Sequence, residues 1–290
     1  MVNTPTLAQA LAQAHTLGLA RIDAQLLLLH TVGRTGSDRA WLLAHDTDVL
    51  APAPHAQFLA LCQRRAAGEP VAYLTGHKEF YGLPLQVDAR VLDPRPDTET
   101  LVDWALEVMA PLPAPRVADL GTGSGAIALA LQSQRPTAQV LAVDASSDAL
   151  AVARANGERL GLPVQCVQSD WLAGVDGVFD AIVSNPPYIP SGDPHLAALT
   201  HEPLQALASG ADGLADLRTI VAQAPAHLAP GGWLLLEHGY DQAEAVRALL
   251  TQRGFVQVQS HNDLAGIARC TGGQWAAGAP AGHSPGQTVK

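Results

Sequence analysis

VADLGTGSGAIALAL (117–131) decides the fold. Its first four residues form an apolar strand pattern and its last six an apolar helical one. Between them Gly121, Gly123 and Gly125 alternate with Thr122 and Ser124. Glycines let a chain turn sharply from strand to helix and let a ligand approach the backbone. The helix that opens after Gly125 offers unpaired N–H groups and the positive end of its dipole. The spacing is G-x-G-x-G, so the third glycine comes one residue earlier than in the dinucleotide fingerprint G-x-G-x-x-G. A plain structural turn is the competing reading of the loop.

Working outward, strand and helix patterns alternate from Arg116 onward: RVADL, SGAIALALQSQ, QVLAVD, SSDALAVARANGERL, VQCVQSD, FDAIVS, LRTIVAQAPAHL, GGWLLLEH, DQAEAVRALLTQRG and FVQVQS. This order predicts an α/β fold, a doubly wound, Rossmann-like sheet with helices on both faces. In such a sheet ligands lie outside the carboxyl ends of the strands. LAVD ends at Asp144, about 20 residues beyond the loop, where a carboxylate can take both hydroxyls of a ribose. Asp144 can also be the cap of the helix SSDAL. QSDW brings Asp170, a candidate acceptor for an adenine amino group, and Trp171, a candidate wall for the base. Either residue could instead cap or pack.

FDAIVS, the fourth strand, runs into SNPPYI (184–189). Two prolines stop a ladder, because neither donates a backbone hydrogen bond. At the carboxyl end beside a ligand loop, these residues suit a planar –NH2 substrate such as a carboxamide or an adenine amino group. The nitrogen lone pair of such a group is conjugated and nucleophilically weak. Two acceptors that hold both N–H bonds aim that lone pair. The Asn185 side-chain oxygen is one acceptor. The Pro186 carbonyl, held by its own ring and by Pro187, is the other. Tyr188 supplies a flat wall. Methyl transfer then requires positioning more than a strong base. An ordinary strand-terminating turn is the competing explanation.

The 290 residues are 48% apolar and 15% charged, which marks a packed globular chain. Cys62, Cys166 and Cys270 are far apart and odd in number, so a disulfide framework or metal set is not expected. The N-terminus has no positive leader, and no run of about 18 apolar residues occurs. The expectation is a cytoplasmic protein. Net charge is −10. Residues 1–75 hold five arginines against five acids, so the deficit falls on the remainder. That balance opposes a nucleic acid as main ligand. Residues 6–75 carry helical periodicity, with Leu7, Leu11 and Ala14 on one face, Ser37 as the cap of SDRAWLLAH and Pro54 near the start of a further helix. KEFYGLPLQV then suggests a hairpin around Gly82. Asp97 or Thr98 is the expected cap of the next helix.

DLGTGSG, SNPPYI, PRPDTE (94–99), EPLQAL (202–207) and LEHGY (236–240) together resemble the protein-(glutamine-N5) methyltransferases that modify peptide-chain release factors, the PrmC/HemK type. The likeness covers roughly residues 5 to 270. NPPY is shared with N6-adenine methyltransferases of RNA and DNA, which is the alternative reading. The resemblance implies a class I methyltransferase sheet that uses S-adenosyl-L-methionine and acts on the Gly-Gly-Gln glutamine of class-1 release factors. Carried onto this chain, Gly121, Thr122, Gly123, Ser124 and Gly125 wrap the cofactor's methionine part. Asp144 binds its ribose, Trp171 lines the adenine pocket, and Asn185 also borders the cofactor. Asn185, Pro186, Pro187 and Tyr188 hold the substrate amide, with Asn185, Pro186 and Tyr188 in the catalytic role. Thr98 and Glu99 lie near the methionine end. The implied domains are a helical substrate-docking bundle (1–75), a hairpin linker (76–96), the methyltransferase domain (97–270) and a disordered tail (271–290). No membrane and no stable nucleic-acid complex are expected. Ile267 and Ala268 depart from the polar pair expected in NDLAGIARC. The tail carries a Gly-Gly-Gln of its own, Gly272 to Gln274, which is either chance or a self-methylated or pseudosubstrate segment.

Overall fold

The computed structural model describes residues 4–276. The chain divides into two units. The first holds the chain up to Lys78 with Gln86–Asp93 and Ala197–Pro203, and the second holds the rest.

The first unit is built from α1 (Leu7–Thr16), α2 (Arg21–Thr31), α3 (Arg39–Ala44), α4 (Pro52–Ala66) and α5 (Val71–Thr75). Thr6 starts α1 with a capping box, its hydroxyl accepting from the Gln9 amide at 3.2 Å while Gln9 accepts from the Thr6 amide at 2.9 Å. Leu27, Leu28 and Leu29 of α2 are all fully buried, so this helix is covered on more than one side. They pack with Leu7, Leu42, Phe58, Cys62 and Leu74 in one core. One expected helix start shifts. Ser37 does not cap α3, because its hydroxyl is bonded to Thr35 Oγ1 at 2.7 Å, and Thr35 instead caps a short 3-10 turn at Gly36–Asp38. α4 begins at Pro52, so Pro54 lies near its start as expected, in the first turn, where a missing N–H is not needed. Within this unit Glu202 of EPLQAL is buried and accepts from the Asp93 amide at 3.3 Å.

β1 (His77–Phe80) and β2 (Leu83–Gln86) form a hairpin. Tyr81 and Gly82 between them both have positive φ, 51° and 77°, the geometry of a two-residue turn that matches strand twist. The Tyr81 amide donates to Glu99 Oε1 at 3.0 Å, and its hydroxyl donates to Asp103 at 2.7 Å.

The second unit continues with α6 (Glu99–Met109), β3 (Arg116–Leu120), α7 (Ala126–Gln134), β4 (Gln139–Asp144), α8 (Ser147–Leu160), β5 (Gln165–Gln168), β6 (Phe179–Ser184), α9 (Ala215–Gln223), β7 (Leu228–Glu237), α10 (Ala243–Arg253), β8 (Phe255–Asn262) and β9 (Ala268–Trp275). The seven-stranded sheet has the order β5-β4-β3-β6-β7-β9-β8. It is parallel except for β9, which runs against β7 and β8. α9 and α10 cover one face, burying Leu217, Ile220, Val246 and Leu250 against Leu120, Ile182 and Leu236. α6, α7 and α8 lie on the other. Residues 126–132 of α7 are all buried, which is why that helix has no polar face in the sequence. The chain winds outward from β3 to β5 and then returns to place β6 on the other side of β3. That reversal opens the crevice where doubly wound sheets bind ligands.

The sheet also corrects the expected C-terminal boundary. β9 continues through Trp275, so the disordered tail expected from residue 271 does not begin there. Residues 277–290 of that expectation lie outside the described residues. Gly272 to Gln274 are paired to β7, and Gly272 and Gly273 are buried. Gln274 spends its amide on Gly231 and Gln257, at 2.9 and 2.8 Å. A strand locked on both edges cannot offer that glutamine to an active site, so the pseudosubstrate reading falls. These glycines serve packing instead. A Cβ on Gly272 would lie 2.7 Å from the Leu234 carbonyl oxygen and 2.8 Å from the Trp104 ring. Trp104 of α6 is 2% exposed and stacks on His261 with centroids 3.9 Å apart, so it has nowhere to go.

Candidate active site

The glycine loop leaves β3 beside the end of β6. Leu120 is in register with Ser184, and the Ser184 hydroxyl donates to the Leu120 carbonyl at 2.7 Å. Asn185 therefore begins where Gly121 begins, at the carboxyl edge of the sheet. The Gly121 and Thr122 amides both donate to the Val143 carbonyl, at 2.8 and 2.9 Å, which holds the loop against β4. The Asn156 amide of α8 donates to the Ser124 carbonyl at 3.0 Å.

The glycines have different reasons to be glycine. Gly125, at φ 83°, is where α7 and α8 touch, since a Cβ there would lie 3.2 Å from the Ala153 Cβ. Gly123, at φ 54°, faces open space, with nothing within 4 Å of an added Cβ. Asp119 lies below them, fully buried. Its Oδ2 accepts from the Thr122 hydroxyl at 2.6 Å and from the Ala128 amide at 3.1 Å, tying loop to helix. Its Oδ1 has no partner among the described residues. Burial pushes the Asp119 carboxyl up to about 7, against the bonds from Thr122 and Ala128.

Asp144 ends β4 with both oxygens engaged, Oδ2 by the Gly123 amide and Oδ1 by the Ser146 amide, each at 2.9 Å. It does not cap α8; that task falls to Ser146, whose hydroxyl accepts from the Ala149 amide at 3.2 Å. A carboxylate has about four lone-pair sites, so two sites remain for hydroxyl donors. The half-buried Trp171 ring lies over Gly121, 3.3 Å from where a Cβ there would be, and its Nε1 donates to Asp216 at 3.2 Å. Asp170 stays exposed.

In SNPPYI the Asn185 Nδ2 donates to Thr98 Oγ1 at 3.2 Å. Thr98 therefore does not cap α6, because its side chain is turned into the site. Glu99, the neighbour also expected near the cofactor's methionine end, accepts from the Tyr81 amide through Oε1 at 3.0 Å. Pro186 is buried and Pro187 half-buried. Tyr188 is half-buried against the core under α9, and burial, then the nearby Glu237 charge, pushes its phenol up to about 12. Its carbonyl is held by Gln242 Nε2 at 3.0 Å. The exit of the motif is fixed by residues that follow EPLQ, with Ile189 donating to the Leu207 carbonyl at 2.9 Å and accepting from the Ser209 amide at 2.9 Å.

Three contributors went unread in the sequence. Gly213, at φ 75°, packs so closely that an added Cβ would lie 2.3 Å from the Tyr188 carbonyl oxygen. Gln242 makes the hydrogen bond to that same oxygen. Glu237, inside the quoted LEHGY, was given no role. It is 1% exposed and has an Oε2 without a partner among the described residues. Burial pushes it up to about 7, with the Thr98 hydroxyl and Arg269 opposing. The adjoining His238 is buried and structural, with Nε2 2.7 Å from the Thr271 hydroxyl. Arg269, two residues past Ile267, pairs with Asp97 at 3.3 Å and Asp263 at 3.2 Å. The departure at Ile267 and Ala268 is thus near the site in space though far in sequence.

The Glu237 shift has a measurable sign. The folded state binds this proton more tightly than the unfolded chain, whose glutamate titrates at about 4.3. Between about 4.3 and 7 the ionised form is present mainly in the unfolded chain, so stability falls as pH rises through that window. Glu237→Gln lacks this loss. Its unfolding midpoint is expected to gain on the unsubstituted protein from pH 4.5 to 7 and to run parallel above it. A gap constant with pH would show that Glu237 titrates normally.

Two family models match the chain: the PrmC N-terminal domain over residues 6–76 and the Methyltransferase small domain over residues 98–260. Among solved structures, a methyltransferase from Pyrococcus furiosus covers 74% of this chain and 98% of its own, at 19% identity and TM-score 0.52. The Thermus thermophilus 16S rRNA N2 G1207 methyltransferase, in complex with AdoMet and guanosine, covers 68% and 49% at 21% identity and TM-score 0.51. These two support the fold alone. Curated relatives are far more similar. Release factor glutamine methyltransferases of Bordetella pertussis and Burkholderia pseudomallei are 52% and 49% identical over 260 and 281 residues. The alignments take in 88% and 93% of this chain and 95% and 97% of theirs. With a methyltransferase sheet, an Asn-Pro-Pro-Tyr at its switch point and relatives matched nearly end to end, this chain belongs to the release factor glutamine methyltransferase family.

Proposed function

We propose that Asn185 and the Pro186 carbonyl hold the side-chain amide of the Gly-Gly-Gln glutamine of a class-1 release factor, so that its N5 receives the methyl group of S-adenosylmethionine. The carrying observation is the Asn185–Thr98 bond at the end of β6. It occupies the Asn185 NH2 and leaves the amide oxygen to accept from a substrate N–H.

The residues fit the cofactor. The open space at Gly123, the Trp171 ring over Gly121 and the spare lone pairs of Asp144 suit methionine, adenine and ribose in turn. The buried, unpartnered Asp119 oxygen is a further acceptor at the loop. The cofactor supplies an electrophilic methyl on a sulfonium sulfur. Asn185 and Pro186 aim the nitrogen lone pair at that methyl. As the N–C bond forms and the S–C bond breaks, positive charge moves onto the nitrogen, where two oxygen acceptors stabilise it. The amide proton, now acidic, leaves afterwards to water. Tyr188, kept neutral by its raised pKa, is a wall and not a base. No helix among the described residues is long and apolar enough to cross a membrane. The helical unit is the docking element for that protein substrate, and no stable nucleic-acid complex forms.

The test is transfer of labelled methyl to an unmodified class-1 release factor, with the product mapped by peptide mass spectrometry. One methyl on the glutamine of Gly-Gly-Gln is expected. Label in total RNA, with none in the release factor, would move the activity to nucleic-acid amino groups.

A further inference from the structure

We infer that the turn joining β8 to β9, with Leu264 at its tip, and the neighbouring Tyr240 form an apolar docking ledge for the body of the release factor. The inference rests on the reading of the substrate as a release factor and extends it from the glutamine to the surface around it.

A Gly-Gly-Gln loop offers little to hold. Two of its three residues have no side chain, and the third gives its amide to Asn185 and Pro186. Affinity for such a substrate has to come from its surface outside the loop, through a few well-covered anchors. The register across the sheet says which part of this chain lies beneath that surface. Ser184 is level with Leu236, Leu236 with Thr271, and Thr271 with Ser260. β8 therefore ends at the same edge at which Asn185 follows β6, three strands away in the order β6-β7-β9-β8. Three spacings of ~4.8 Å put the two ends about 14 Å apart. A standard interface covers about 800 Å² of each partner, a disc of about 16 Å radius. A protein that delivers its loop to Asn185 reaches this edge as well.

Leu264 is fully exposed there, Tyr240 is 72% exposed, and Ile267 is exposed beside them in sequence. The His238 amide donates to the Arg269 carbonyl at 3.0 Å. Tyr240 lies two residues beyond His238 and Ile267 two residues before Arg269, so both sit where the β7–β9 pair ends. A single exposed leucine is ordinary. This one is held out on a turn with its bonds made internally. The buried Asp263 accepts from the Ala265 and Ile267 amides through Oδ1, at 2.9 and 3.0 Å. Its own amide donates to the Ile267 carbonyl at 2.8 Å, and its carbonyl accepts from Gly266 at 2.9 Å. Arg269 ties the Asp263 Oδ2 to the body of the unit at 3.2 Å. Leu264 takes part in none of these bonds. The turn is already ordered, so covering its tip costs little conformational entropy. The matching surface on the release factor is apolar and flanks the base of its Gly-Gly-Gln loop.

The test is steady-state methylation of an unmodified class-1 release factor by the full chain. The double variant Leu264→Ser/Tyr240→Ser is expected to raise KM for the release factor about tenfold, with kcat within about twofold and the Kd for S-adenosylmethionine unchanged, as removal of uniform binding requires. Leu264→Ser alone is expected to raise KM about threefold. Val178→Ser is the control, since Val178 is an exposed apolar residue that precedes β6 at the opposite edge, and its KM is expected to match the parent. An unchanged KM in the double variant, or an equal rise in Val178→Ser, overturns the ledge and leaves the proposed function standing. Sedimentation that shows a dimer of the parent, dissociated by the double variant, overturns it too, by giving the surface to a second copy of this chain. If the parent methylates no release factor, both readings fall together.

Discussion

Asn185→Ala is expected to lower kcat for release-factor methylation by about 100- to 1,000-fold, the scale on which one preorganised polar group in an active site counts. The mechanism explains the size of the effect. A planar carboxamide attacks poorly because its lone pair is delocalised, so the enzyme's contribution is to hold the nitrogen in line and support the charge that develops on it. Removing the side-chain oxygen leaves only the Pro186 carbonyl, which can hold one N–H and leaves the group free to rotate about it. The fold has little stake in the change. Asn185 is half-buried, and its side-chain partner among the described residues is the Thr98 hydroxyl, which accepts a single bond from it at 3.2 Å. Cofactor affinity, measured by calorimetry, and the unfolding midpoint are therefore expected to stay near those of the parent. Full activity in this variant would remove the proposed mechanism. Loss of cofactor affinity equal to the loss of rate would make Asn185 chiefly a cofactor-binding residue.

Gly272→Ala is expected to destabilise the protein by about 3 kcal/mol, at the upper end of the range for overpacked cores. A fall of roughly 6–12 °C in the unfolding midpoint follows for a unit of this size. The new methyl would meet the Leu235 side chain at 2.5 Å, the Leu234 carbonyl oxygen at 2.7 Å and the Trp104 ring at 2.8 Å. A leucine tip can rotate away, but the carbonyl belongs to the β7–β9 ladder and the Trp104 ring is wedged between His261 and Trp233. Gly192→Ala is the matched control, since nothing lies within 4 Å of its added Cβ, and its midpoint is expected to stay put. Equal midpoints for the two variants would mean that the strand edge yields easily, and would reopen the question of whether Gly272 to Gln274 can leave the sheet.

The glycine loop, the alternation that follows it and Asn-Pro-Pro-Tyr were legible because each is local. A strand-to-helix turn needs glycines at fixed spacing, and a strand that must stop and present an amide needs prolines right behind it. The shift of the cap from Ser37 to Thr35 arose because several adjacent residues can begin a helix, and the choice depends on which hydroxyl finds a nearby partner. The mistaken tail has a different origin. A Gly-Gly-Gln followed by Ala, Gly and Pro has the composition of a loose segment, and the pressure that makes Gly272 a glycine comes from Trp104, more than 160 positions away in the chain.

The amino-acid sequence by itself determined the class of fold, the places of the glycine loop and of Asn-Pro-Pro-Tyr at strand ends, and the order of the two kinds of domain, because periodicity and turn chemistry act over a few residues. Only the tertiary structure decided that Thr98 turns inward instead of capping α6, that Glu237 is buried, that Gly213 and Gln242 pin the Tyr188 carbonyl and that the final glycines lie inside the sheet. Those contacts join residues from separate strands at one edge of the sheet. Burial, which raises Glu237 and Asp119 to about 7, exists only once those strands have come together.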